Sequence, residues 1–326
     1  MAWFVFGPTT QKPAGGYFYI SSGADFESVK KELLEQGVLR HTSFFNVVAK
    51  SIGYYDHIRP GRFQIPEGTS IFSLVRMLKS GRQAEIRLVI NKVRTKEDFA
   101  SLIGRHHFEA SSNDALRFLN DNAKLRPLGY DTNDIMTVII PNSYLLYWNG
   151  DFEKIFNKLK KEHDLFWEGK RQHKAEALGF SSKEIYIIAS IVEEETTKAE
   201  DKPRIASVYF NRLKKGMKLE ADPTVKFAMR QFQLTRILHE HLSYASPYNT
   251  YYVKGLPPGP ICTPSIATID AVLNAPETND LFFVAKPDFS GYSNFAATYE
   301  EHLQNAHAYQ KALNELESRT PKPQRP

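Results

Sequence analysis

An α+β fold is what this sequence predicts, and three features predict it. Early in the chain, short apolar runs lead through a turn glycine into amphipathic helical stretches. Further on, two helices carry clear start signals and broad apolar faces. Isolated strand-like runs are scattered among them instead of alternating regularly with helices. The 326 residues exceed what one compact unit usually holds, so two domains are expected. With 42% hydrophobic and 24% charged residues, the composition is that of a globular chain and argues against disorder.

The first elements come as a weak repeat. Ile20, Gly23, Phe26, Val29, Leu33 and Gly37 share the spacing of Ile65, Gly68, Ile71, Leu74 and Leu78, with Gly81 one position early. A poorer third copy runs through Ile90, Val93, Phe99, Ile103 and Gly104. Each copy reads as a strand, a turn and a helix ended by glycine. Any strand–turn–helix unit gives this spacing; so do the small βα units of carbohydrate-binding modules.

Over 112–161 the pattern is mixed, with helical stretches at 114–119 and 152–161. Thr137-Val138-Ile139-Ile140-Pro141 reads as a buried strand stopped by proline. Ser181-Ser182-Lys183-Glu184 is a capping box ahead of Ile185, Ile188, Ala189, Val192 and Thr196, which share one helical face. A second helix opens near Asp201 and Pro203, carries Ile205, Val208, Tyr209 and Leu213, and stops at Gly216. The stretch 243–264 is a loop rich in Pro, Gly, Tyr and Asn. A strand at 281–285 and a closing helix at 297–316 come next. The Pro-rich, charged end from 317 to 326 is expected to be disordered.

Composition excludes several chemistries. A single cysteine, Cys262, leaves no intramolecular disulfide framework and no thiolate zinc site. The net charge of +5 is spread without a basic run, so nucleic acid is not demanded and a polyanionic or membrane surface fits equally well. No apolar stretch is long enough to span a bilayer. Trp3, Phe4, Val5 and Phe6 read either as the last turn of a membrane anchor or as a buried strand. There is no P-loop, nucleophile elbow, dinucleotide fingerprint or HExxH motif, and His106-His107 and His239-Glu240-His241 lack helical metal spacing. No cofactor and no metal are expected.

Glu193, Glu194 and Glu195 close the helix that begins at Ser181. At about 100° per residue, Glu194 points away from the apolar face while Glu193 and Glu195 sit on its shoulders. A shoulder carboxyl is partly desolvated, which raises its pKa and suits it to general-acid work. The plain alternative is a solvated helix end, and periodicity does not choose between Glu193 and Glu195. A proton-donating carboxyl is the main need in cleaving a glycosidic bond. Because Glu193 and Glu195 diverge by about 200°, they cannot flank one bond, and a single-glutamate mechanism fits better. Downstream, Glu220-Ala221-Asp222-Pro223-Thr224 offers acceptors before a helix with Asp222 as N-cap. Tyr248-Asn249-Thr250-Tyr251-Tyr252 offers stackable rings with polar tips, and the prolines from Pro257 to Pro264 make the adjoining loop rigid.

Taken in order, Ala189-Ser190-Ile191-Val192-Glu193-Glu194-Glu195-Thr196, Ala206-Ser207-Val208-Tyr209-Phe210-Asn211-Arg212-Leu213, Asp222-Pro223-Thr224-Val225, Tyr248-Asn249-Thr250-Tyr251 and Gly255-Leu256-Pro257-Pro258-Gly259-Pro260-Ile261 resemble the YceG-like (MltG) family of bacterial endolytic murein transglycosylases. The resemblance runs from about residue 17 to residue 316. It implies an anchor or linker remnant at 1–16, a LysM-like domain at 17–88 and a catalytic domain at 89–316 with its glutamate on a helix. It also implies a single-pass inner-membrane protein facing the periplasm, acting on peptidoglycan strands beside peptidoglycan synthases.

The family's catalytic glutamate is the second of its Glu-x-Glu-Thr motif, Glu195 here. The implied reaction is nonhydrolytic cleavage between N-acetylmuramic acid and N-acetylglucosamine, ending nascent strands in 1,6-anhydro rings. Thr196, Glu220, Asp222, Thr224, Tyr248 and Asn249 are candidates for orienting the glutamate or the sugar, from motif position and chemistry. Three departures stand out: Glu220 where the family often has Gln, Ser293 where a histidine is usual, and Val93 where glycine is common. A non-catalytic wall-binding scaffold and a lysozyme-type hydrolase using Glu220 or Asp222 as second carboxylate are the competing readings.

Overall fold

The computed structural model describes residues 2–319. The chain divides into two compact units. Unit one takes in Met1–Val89, Phe99–Phe118 and Ser143–Lys158; unit two takes in Ile90–Asp98, Leu119–Asn142 and Leu159–Pro326.

Unit one begins with α1 (Ala2–Phe6), so the aromatic start is helical and not a strand, with Trp3, Phe4 and Phe6 exposed. Then come β1 (Phe18–Ile20), α2 (Phe26–Glu35), α3 (Ser43–Ser51), β2 (Gly61–Phe63) and α4 (Ile71–Ser80). The first two copies of the repeat are β1–α2 and β2–α4, and the two strands pair antiparallel with Phe18 opposite Phe63. Asp25 and Ser70 cap the helices through Ser28 and Ser73 backbone N–H groups. Gly81 ends α4 at φ 68°, a left-handed turn that other residues adopt only with strain. Helix α3 falls between the copies, where the repeat is silent, and buries Phe45, Val48 and Ala49. Phe18, Ile20, Leu33, Phe45, Leu74 and their neighbours form one apolar core.

The third copy is looser. Strand β3 (Ile86–Val89) stops before Ile90, and Gly104 lies within α5 (Lys96–Arg105) instead of ending it. The chain continues through α6 (Ser112–Leu119), α7 (Asn122–Leu125), β4 (Ser143–Leu146), paired antiparallel with β3, and α8 (Phe152–Trp167). The strand expected at 137–141 is instead a buried 3-10 turn, Ile135–Val138, leading to Pro141. A short apolar run has no period to separate a buried strand from another buried segment.

The rest of unit two is built around one helix. Its elements are α9 (Lys170–Leu178), α10 (Ser182–Glu195), α11 (Lys202–Lys214), α12 (Asp222–Ala228), α13 (His239–Leu242), α14 (Ile266–Leu273), β5 (Phe282–Ala285), β6 (Ser293–Ala296) and α15 (Tyr299–Arg319). The capping box forms as expected: Ser181 accepts from the Glu184 backbone while Glu184 accepts from that of Ser181. Helix α10 packs on α9, α11, α12 and α14, so every residue from Ile185 to Val192 is buried. Burial on all sides replaces the single apolar face expected, and it gives Glu194 protein neighbours where a solvated side was expected. Strands β5 and β6 pair antiparallel. All sheets among the described residues are two-stranded, which makes the fold α+β. Residues 317–319 of the tail continue α15, and the remainder of the expected disordered end lies outside the described residues. No helix among the described residues is long and apolar enough to cross a membrane.

Candidate active site

The end of α10 places three glutamates side by side, and their partners separate them. Glu193 accepts from Lys202 Nζ at 2.9 Å and Ser265 Oγ at 3.1 Å, and also from the Thr268 hydroxyl. Glu194 is clamped by Lys92 Nζ at 2.9 Å and Arg94 Nη2 at 3.0 Å. Burial works against ionisation at both, but these bonds outweigh it and hold both carboxyls below the usual range. Both are therefore fixed anions.

Glu195 differs. Among the described residues it has no ion pair, and its Oε1 accepts a hydrogen bond of 2.6 Å from the hydroxyl of Tyr209. The residue keeps some exposure to solvent, while its carboxyl is set among protein atoms. Burial, with the charge of Asp222 added, pushes it up to about 7; the Tyr209 bond and the cations of Lys226 and Arg212 pull the other way. A carboxyl titrating there exists in both forms near neutrality and can give a proton and take one back.

Helix α11 supplies the second layer. Tyr209 and Arg212, three residues apart, lie on its buried side. Arg212 donates from Nε to Leu281 O at 2.7 Å and from Nη1 to Leu219 O at 3.0 Å and Glu220 Oε2 at 3.0 Å. Glu220 itself sits at φ 54°, a strained conformation for a residue with a side chain. Its charge is thus matched by Arg212, and Asp222 is the carboxylate that raises Glu195.

Asp222 is exposed and begins α12, with Ala221 one residue earlier as the N-cap in place of the expected Asp222. Its Oδ1 accepts from the Tyr251 hydroxyl at 2.7 Å, and Glu195 and Glu220 also act on that phenol. Glu195, Tyr209, Arg212, Glu220, Asp222 and Tyr251 therefore form one connected set.

The remaining candidates serve the frame of this set. Thr196 is the C-cap of α10, and its hydroxyl accepts from the Lys198 backbone at 3.0 Å. Thr224 is fully buried, donating to Ala221 O at 2.6 Å and contacting the Thr250 hydroxyl at 2.8 Å. Asn249 is also fully buried, bonding Leu242 O, Tyr244 O and the Tyr251 backbone N–H. Both side chains hold the loop that carries Tyr251. Tyr248 packs its ring on Phe227 with centroids 4.8 Å apart, and burial with the charges of Asp131 and Asp134 pushes its phenol up to about 12. Gly259 lets the proline-rich wall close here, since a Cβ would come within 2.0 Å of Asn133 O and 2.9 Å of the Tyr248 hydroxyl. At Ser293, one of the three departures noted from the resemblance, the backbone N–H donates to Asp201 at 2.7 Å, while His302 stacks on Phe282.

Sequence reasoning passed over Tyr209, Arg212 and Lys226 as site residues and read Tyr251 only as one of a run of stackable rings. The available signal was a phenol and a guanidinium three apart on a helix otherwise apolar on that side. A cleft of about 180 Å³ is walled by Arg94, Glu194 and Lys226 and by the apolar Pro223, Phe227, Phe232 and Ile261, and it is tied to the set through Lys226, whose charge acts on Glu195. No cluster of metal-ligating side chains occurs among the described residues.

Comparison with known proteins bears on the whole chain. The model of the YceG-like family matches residues 18–308. The endolytic murein transglycosylase of Bacillus subtilis (strain 168) is 28% identical over 308 residues, which cover 92% of this chain and 74% of that protein. The protein of the same name from Streptococcus pneumoniae is 24% identical over 327 residues, covering 88% of this chain but only 57% of its own length. A crystal structure of a YceG-like protein from Listeria monocytogenes superimposes with a TM-score of 0.57 at 25% identity, over 88% of this chain and 98% of that one. The match spans both compact units and includes every residue of the Glu195 set, and the chain belongs to the YceG-like family.

Proposed function

We propose that this protein is an endolytic lytic transglycosylase of peptidoglycan, with Glu195 as its single acid and base. The observation that carries this reading is the contrast at the end of α10: two glutamates held as anions by cations, and a third, without an ion pair among the described residues, raised to about 7. Its relatives named endolytic murein transglycosylase supply the substrate class.

In the reaction, protonated Glu195 gives its proton to the oxygen bridging N-acetylmuramic acid and N-acetylglucosamine. The C1–O bond breaks, N-acetylglucosamine leaves with its 4-hydroxyl restored, and positive charge develops on the muramyl C1. The Glu195 carboxylate then removes the proton from the muramyl C6 hydroxyl as O6 attacks C1. The products are a 1,6-anhydro end and a regenerated acid, with no water consumed. The nearby carboxylate of Asp222 adds negative potential where positive charge develops. Tyr209 holds one oxygen of Glu195 in place throughout.

The residues from 17 to 88 act as the LysM-like part and those from 89 to 316 as the catalytic part in this reading. The chain works at the outer face of the bacterial inner membrane, ending nascent strands beside the synthases. The exposed rings of Trp3, Phe4 and Phe6 suit such an interface. Separation of cells into membrane and soluble fractions tests the location; recovery wholly in the cytosol would refute it.

The activity is tested by mass spectrometry of purified peptidoglycan after incubation with the parent and with Glu195→Gln. Internal fragments with 1,6-anhydro ends from the parent, reduced at least about a thousandfold in the variant, are expected. Reducing ends would mean hydrolysis and would turn attention to Asp222 as a second carboxylate.

A further inference from the structure

The cleft lined by Lys226, whose charge reaches Glu195, has a composition that the proposed bond cleavage does not use. Its polar wall holds two cations and one carboxylate. The carboxylate, Glu194, is already matched twice, by Lys92 and by Arg94. Arg94 commits one guanidinium nitrogen to it and lies over the Phe232 ring at 5.5 Å, leaving further N–H donors of its five. Lys226 is half-buried, and among the described residues its ammonium has no hydrogen bond or ion pair. Lined this way, the cleft has positive charge to spare. The rest of the lining, Pro223, Phe227, Phe232 and Ile261, is apolar.

Size narrows the ligand. Pockets that enclose a whole ligand usually run to about 300 Å³ or more. At about 180 Å³ this one suits an appendage of the substrate better than a complete sugar. The appendage should combine a carboxylate, for Lys226 and Arg94, with a small apolar portion for the apolar lining. In peptidoglycan the muramyl lactyl group carries such an appendage: a stem peptide that begins with alanine and continues with glutamate bearing a free α-carboxylate.

Resting on the transglycosylase reading, we propose that the cleft of Lys226 and Arg94 binds the acidic stem peptide of the muramyl residue undergoing cleavage, so that this protein selects stem-bearing strands with a free glutamate carboxylate. The carboxylate replaces water at Lys226 and completes the donors of Arg94, while the alanine methyl meets the rings. Charge-assisted hydrogen bonds of this kind are among the stronger ones in proteins.

The test measures binding first, so that it does not depend on cleavage. Three sets of uncrosslinked glycan strands are used: stems with the free glutamate α-carboxylate, stems with that group amidated, and strands stripped of stems. The Glu195→Gln protein should hold the first about tenfold more tightly than the other two. Glu195→Gln with Lys226→Gln, or with Arg94→Gln, should bind all three alike. N-acetylmuramyl-alanyl-glutamate, its amide and N-acetylmuramic acid provide the same comparison on the unaltered protein. Equal binding of the three substrates overturns the proposal, as does a Lys226→Gln change that weakens all three by one factor. Cleavage by the parent reads the enzyme assignment separately: all three strands cut with equal KM sinks only the stem site, and none cut despite selective binding sinks only the enzyme.

Discussion

The two units are stabilised by different chemistry. In unit one, Phe18, Ile20, Leu33, Phe45, Val75 and Leu78 fill an interior from which charge is absent among the described residues. Unit two buries Asp201, Arg212, Thr224, Asn249, Thr250 and Asp280 alongside its apolar cluster. Buried polar groups cost free energy unless bonded, and these are bonded: Asp280 to Arg204, Arg212 to three carbonyls and Glu220, Thr224 to Thr250. Apolar cores tolerate approximate fits, whereas polar networks fix positions. The unit that carries the Glu195 set is the one in which positions are fixed.

The change expected to test this contrast most severely is Arg212→Met. It keeps the stem and removes the donors to Leu281 O, Lys218 O and Leu219 O, leaving Glu220 unmatched. A loss of about 3–5 kcal/mol in denaturant unfolding is expected, well above a surface substitution. A change within about 1 kcal/mol would mean that the network is dispensable.

In unit one the matching experiment is Leu33→Ala. Leu33 is fully buried on α2, and its removal leaves a cavity and no orphaned polar group. About 3 kcal/mol should be lost, and Leu33→Met should recover most of it because only volume is at stake. No such rescue is available to Arg212, since no apolar residue supplies its bonds. Failure of methionine to rescue Leu33 would remove the distinction between the two interiors.

What the sequence makes legible divides along the same line. Helix α10 is readable from its capping box and apolar period, and the paired repeat copies are readable as β1–α2 and β2–α4. These are local signals. The difference between Glu194 and Glu195 is not local. It depends on Lys92 and Arg94, about a hundred residues away, and on Tyr209, which reads in sequence as one more apolar-face residue. Helical periodicity gives direction but is blind to the partner met there. Thr224 and Asn249 show the converse: their polar groups stand in motifs suggestive of sugar contact, yet fold inward to hold a loop. Only the fold decides whether a polar side chain faces solvent or its own backbone.

Within unit two, Glu195 is the α10 glutamate without an ion pair among the described residues, and pH should expose the cost of burying it. Its carboxyl is raised from an ordinary 4.5 to about 7. The native state therefore binds more protons than the unfolded chain between those values, and stability falls as pH rises through that window. Glu195→Gln removes this penalty. Relative to the parent it should gain about 3 kcal/mol at pH 8 and little at pH 4, read from unfolding at both pH values. Glu194→Gln should behave oppositely: its lowered carboxyl contributes above the ordinary carboxylate pKa and loses that contribution as pH falls. The same sign for both would show that neighbours, not burial, have been misjudged.

The finest division is within a single hydrogen bond, and Tyr209→Phe isolates it. The tyrosine hydroxyl donates to Oε1 of Glu195 at 2.6 Å, so when Glu195 is protonated the proton belongs on Oε2. One oxygen is held, and in the proposed reaction the other gives the proton. Phenylalanine keeps the buried ring and its edge-on packing against Phe283, so the fold should persist. Without the donor, the carboxylate loses a bond that favoured it, and its pKa rises further. The acid should then survive to higher pH, moving the alkaline limb of kcat/KM upward by less than about one unit. Turnover at the optimum should nonetheless fall about tenfold, because the carboxyl is free to rotate and to present either oxygen. A fall in rate with an unmoved limb would mean the hydroxyl acts on substrate instead of on Glu195. A limb that moves at unchanged rate would mean that it tunes the acid without orienting it.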